Sequence, residues 1–212
     1  FSRAARNGTI QYVTIDGNNQ FICGVNYGDD EFQVGSVSKP ILVKNCTIWN
    51  LKGDLITDDS GVGVKCVNGI MTVQDCTFYN NLKGVDLGQQ DITGAQPDIK
   101  YIVNRCYAYN NYWGFNFNNR HASYTGTVKF YLINSIARDN RRHGVHVYAG
   151  PYSFYMVHNV LDNNGTDTGF WERANFQVSP DGTTDGTPIV AYIYNNIFYK
   201  PGGGSGSRNY IA

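Results

Sequence analysis

The chain has 212 residues, no net charge at neutral pH and only 16% charged side chains. Such a surface lacks the basic footprint of a nucleic-acid or anionic-membrane binder, and no apolar run reaches the ~18 residues of a membrane span. Glycine and asparagine (24 of each) and 16 tyrosines suit turns and aromatic-faced strands rather than helices.

In chain order, "IQYVTI" (10–15) is a faint first instance of a phrase that returns clearly as "VKNCTI" (43–48). It recurs as "VQDCTF" (73–78), "VNRCYA" (103–108), "LINSIA" (132–137), "MVHNVL" (156–161) and "IYNNIF" (193–198). The clear instances start 30, 30, 29, 24 and 37 residues apart, a solenoid period. Between them runs a second phrase of glycine followed by apolar–polar–apolar: "GVKC" (63–66), "GVDL" (84–87), "GFNF" (114–117) and "GVHV" (144–147). A looser "NFQV" follows at 175–178. Alternation of period two predicts strands with one buried face. The links "YNNLKG", "YNNYWG" and "DNRRHG" are turn chemistry, because Asn and Gly tolerate positive φ.

This pattern, spanning roughly residues 7–212, resembles the right-handed parallel β-helix repeat of the pectate-lyase-like superfamily. The resemblance implies an all-β, single-domain solenoid of about seven coils. The paired-Asp plus Gly-His-Gly and Asp-Pro-His signatures of enzymes with this fold are absent.

Five cysteines exclude complete intrachain pairing, and no CxxC-like or Cys/His cluster suggests zinc. In register, Cys46, Cys76, Cys106, Ser135, Asn159 and Asn196 stack inside the solenoid as small packing residues. Sequons at Asn7, Asn45 and Asn164 point weakly to secretion.

Function is expected on outward rows. The glycine-led strands present Asn26, Lys65, Asp86, Asn116, His146 and Gln177. The resemblance casts Lys65, Asp86 and His146 as catalytic candidates on an acidic polysaccharide, with calcium near Asp86, Asp58 and Asp59. The plainer alternative is a solvated polar ladder with a weak Lys65–Asp86 surface ion pair. The other strands turn apolar outward from Ile102 onward, at Tyr131, Ile133, Tyr155, Val157, Tyr192 and Tyr194. A face of this kind suits a second copy, the 166–188 excursion or a sugar. No capping segment is evident at either end, and "PGGGSGSRNYIA" needs a holder to be ordered. The leading expectation is therefore an extracellular structural protein that self-associates head-to-tail. A carbohydrate-active enzyme or glycan-binding module is the alternative.

Overall fold

The structure is a computed structural model describing residues 8–20, 22–28, 40–53, 60–67, 69–89, 98–119, 127–148, 152–167, 173–179 and 189–200. Asp58, Asp59 and the tail 202–212 lie outside these residues, as does much of the 166–188 excursion.

Every described element is a strand, and all pair in parallel with the equivalent strand of neighbouring coils. The architecture is a right-handed parallel β-helix of about seven coils, as the repeat predicts. The first sheet stacks Gly8–Gln11, Ile41–Lys44, Met71–Gln74, Ile99–Asn104, Val128–Ile133, Tyr152–Val157 and Ile189–Tyr194. The second stacks Thr14–Gln20, Thr47–Leu51, Thr77–Tyr79, Tyr107–Tyr109, Ile136–Arg138, Val160–Asp162 and Ile197–Tyr199. The third holds the glycine-led strands Val25–Gly28, Val62–Val67, Lys83–Gln89, Trp113–Asn119, His143–Tyr148 and Ala174–Ser179.

One apolar core runs along the axis, with Ile48, Phe78 and Leu132 all fully buried. Two polar columns pass through it at the corners. At the first corner a residue of positive φ (Asn45, Asp75, Arg105, Asn134, His158 or Asn195) precedes each column member. The members accept N–H bonds from the preceding coil: Cys46 N to Cys76 Sγ (3.4 Å), Cys106 N to Ser135 Oγ (3.1 Å) and Ser135 N to Asn159 Oδ1 (2.8 Å). The same side chains donate backwards, Cys76 Sγ to the Gln74 carbonyl (3.1 Å) and Ser135 Oγ to the Ile133 carbonyl (2.8 Å).

Small size is thus only half of what Cys, Ser and Asn share at this position; each also carries a donor and an acceptor on a short stem. Cys76→Ser should therefore change urea-unfolding stability by less than about 1 kcal/mol, since the hydroxyl inherits both partners as Ser135 does. A larger loss would show that sulfur volume, not bonding, holds the column.

The second column joins the second sheet to the third. Asn81, Asn111, Asn140 and Asn164 are buried, and each Oδ1 accepts a backbone N–H at 3.0–3.1 Å. Their Nδ2 groups return the bond to the carbonyls of Ile48, Phe78, Ala108 and Ala137. Asn175 ends this column, taking the Asn164 N–H and giving Nδ2 to the Tyr199 carbonyl. The sequon asparagine Asn164 is fully enclosed here, so it is no glycan acceptor in the folded protein.

Candidate functional site

Three outward rows cross the third sheet. Pairing aligns Lys83, Trp113 and His143 in one, and Lys65, Asp86, Asn116, His146 and Gln177 in the next. The third row holds Gly88, Asn118, Tyr148 and Ser179. The middle row is the one the alternation predicts, and the structure brings Lys65 and Asp86 side by side on it. Its character differs from a solvated ladder, because Asp86 and Asn116 are each only 5% exposed.

Asp86 is paired with Lys83 at 2.8 Å, and Lys83 is itself only 2% exposed. The Asp86 carboxylate also accepts Asn116 Nδ2 at 2.7 Å and Asn118 Nδ2 at 3.0 Å. Asn118 fits because Gly88 lies beside it; a Cβ there would collide with the Asn118 carbonyl and amide. Burial pushes the Asp86 carboxyl up, but the Lys83 charge and hydrogen bond, the Asn116 amide and the Lys65 charge outweigh it. The net result is a pKa below the ordinary carboxylate value.

Both histidines are held neutral. Burial, then the charges of Arg142 and Lys83, lower His146 to about 3, against an opposing pull from Asp86. Burial, then His146 and Arg142, place His143 well below its usual value. Their rings stack at 5.0 Å. His146 Nδ1 lies 2.8 Å from Asn116 Oδ1, and its Nε2 lies 3.2 Å from Ser179 Oγ. Lys83 Nζ and the Arg142 guanidinium each stand 5.4 Å from the Trp113 ring centre.

Three atoms bordering the middle row are buried without hydrogen-bond partners: Trp113 Nε1, His143 Nδ1 and Gln177 Oε1. Lys83, Trp113, His143, Asn118 and Ser179 escaped the sequence reading. For the first three a signal exists: each immediately precedes the glycine of its phrase, in "KGVDL", "WGFNF" and "HGVHV".

Among the described residues no three or more His, Cys, Asp or Glu side chains converge as metal ligands. A calcium ion at Asp86 would have to displace Lys83 or the two amides. All five cysteines are free thiols, and burial raises the pKa of Cys66 and Cys106. No described helix is long and apolar enough to cross a membrane.

The aromatic face is also in register. Tyr131, Tyr155 and Tyr192 stack at 4.6 and 4.7 Å with nearly parallel rings, and Lys100 Nζ sits 4.9 Å from the Tyr131 ring centre. Both faces of Tyr155 are consumed within the stack, which leaves mainly ring edges along the row. Exposure grows toward the last described coil, reaching 55% at Tyr194 and 59% at Ile197. A separate hollow of about 490 Å³ lies at the corner of the second and third sheets, lined in part by Lys52, Asn80, Tyr112 and Arg141. It shares no residue with the three rows.

Comparison with family models, with curated proteins and with solved structures gives no match for the chain.

Proposed function

We propose that the protein is a carbohydrate-active solenoid of the pectate-lyase-like kind, working outside the cell on a polysaccharide laid along the third sheet. The observation that carries this reading is the set of partnerless polar atoms on Trp113, His143 and Gln177 beside a buried, charge-fixed row. A buried polar atom left unpaired costs about 1–3 kcal/mol, so each asks for a partner that the protein does not supply. All three atoms are closed to solvent, so a sugar hydroxyl, which both donates and accepts, reaches them only as the covering side chains shift on binding. In the uronate-elimination form of this reading Lys65 is the base, and neutral His146 is a further proton acceptor.

Electrophoresis through gels containing acidic, neutral or acetylated polysaccharides tests it. At least one polymer should slow the protein, and Trp113→Phe, which keeps an aromatic ring but removes the N–H, should weaken retardation about tenfold. Unchanged mobility across the panel would end the carbohydrate reading.

Self-association is the second reading, favoured by the rising exposure of Tyr192, Tyr194 and Ile197. Sedimentation velocity should show concentration-dependent oligomers that Tyr192→Lys and Tyr194→Lys abolish. A wild-type monomer at high concentration would dispose of this reading.

A further inference from the structure

The partner order along the middle row has only one consistent proton assignment. Asp86, paired with Lys83, is an ionised carboxylate and can only accept. Asn116 must therefore turn Nδ2 toward it, which leaves Oδ1 facing His146 Nδ1. That nitrogen must carry the imidazole proton, so Nε2 holds the free lone pair and Ser179 must donate its hydroxyl hydrogen to it across 3.2 Å. Gln177 Nε2 donates to the same Oγ at 2.9 Å. A serine hydroxyl on an imidazole whose other nitrogen is fixed by a carbonyl oxygen is the arrangement that activates oxygen nucleophiles.

We infer that Ser179, His146 and Asn116 form a nucleophile, base and positioning set that cleaves O-acyl esters, with acylated saccharides as the substrate class. Only the saccharide half rests on the carbohydrate reading above. Ser179 Oγ adds to the ester carbonyl carbon while its proton passes to His146 Nε2. The carbon–oxygen bond to the sugar then breaks, and the departing sugar oxygen takes that proton. Water next gives a proton to His146 and adds to the acyl carbon. The Ser179–acyl bond breaks, Oγ recovers the proton, and a carboxylic acid leaves.

Asn116 touches neither ester nor water; it holds the ring, and Asp86 with Lys83 holds Asn116. The Gln177 amide is a donor within reach of the developing negative charge. Burial and the charges of Arg142 and Lys83 keep His146 unprotonated at neutral pH and oppose its imidazolium, while the Asp86 carboxylate favours it.

The test uses the whole chain with a fluorophosphonate probe, 4-nitrophenyl acetate and an acetylated polysaccharide. Mass spectrometry should place the phosphonyl group on Ser179. Ser179→Ala and His146→Gln should lower ester turnover at least about a hundredfold while their melting curves remain cooperative. Asn116→Leu should lower kcat with little change in KM, separating positioning from binding. No labelling of Ser179, or equal turnover by Ser179→Ala, would overturn the set even if glycan binding persists. Turnover of the small ester without acetate release from the polymer would keep the nucleophile and remove the saccharide as its substrate.

Discussion

Asn111→Leu should cost the fold about 3–5 kcal/mol in urea unfolding at neutral pH, a large share of the ~5–15 kcal/mol of a typical domain. Asn111 is fully buried; its Oδ1 accepts the Asn81 N–H at 3.0 Å, and its Nδ2 donates to the Phe78 carbonyl at 3.1 Å and to Asn140 Oδ1 at 3.2 Å. Leucine would strand one backbone donor and one backbone acceptor where water cannot reach, and each carries its own desolvation cost. Asn111→Asp should be worse at neutral pH, because it keeps the acceptor, loses the donor and buries a charge against two oxygens. Its deficit should shrink in acid, where a protonated carboxyl can donate again. The neighbour Asn110, exposed with a φ of 53°, is the control: Asn110→Gly should stay within about 1 kcal/mol. Equal losses at 110 and 111 would refute a column specific to the second asparagine.

Acid should unfold the protein well before its carboxylates alone would do so. His143 and His146 have folded pKa values depressed by burial, the latter to about 3, against an unfolded value near 6.5. Above pH ~6.5 both states hold the imidazoles neutral and no penalty exists. Below it the unfolded chain binds protons that the folded chain refuses, so stability falls as pH drops through the interval from about 6.5 to about 3. An imidazole contributes about 1.4 kcal/mol per pH unit, so His146 alone removes about 2–3 kcal/mol between pH 6.5 and 4.5, and His143 adds to the loss in the same direction. Asp86, also depressed, adds its loss as pH falls below its unfolded value near 3.9. Stabilities from urea unfolding across this range should give a slope of more than one proton, and His143→Leu should reduce it. A flat profile would mean that these rings reach water.

The fold was legible because its most repetitive residues are those with the narrowest chemistry. Cys46, Cys76, Cys106 and Ser135 recur at one interval because each must accept an N–H from the coil before it; the strand alternation around them follows. The regular Gly84, Gly114 and Gly144 are equally constrained, since a Cβ at any of them would press on the carbonyl of the next coil. The candidate site was half legible for the opposite reason. Its residues differ in every coil, so period two places Asp86 and His146 on the outside but says nothing of their partners. The salt bridge of Asp86 runs to Lys83, three residues back around the Gly84 bend, while the strand neighbour Lys65 contributes its charge. Ser179 was hidden because it meets His146 diagonally, one row away, through a contact that no single phrase contains.

The columns also run in one direction, and that has a consequence in time. Asn81 N–H waits for Asn111, Asn111 for Asn140, and Asn140 for Asn164; each backbone N–H donor of the column precedes its side-chain acceptor in the chain. On a ribosome, each emerging coil therefore stays incomplete until the next 24 to 30 residues have followed it out. At about 5–20 residues per second that delay is about 1–6 s, long against the microseconds of local strand formation. The growing tip of the nascent solenoid is thus always its least finished part, and the molecule closes coil by coil in the order in which it is synthesised.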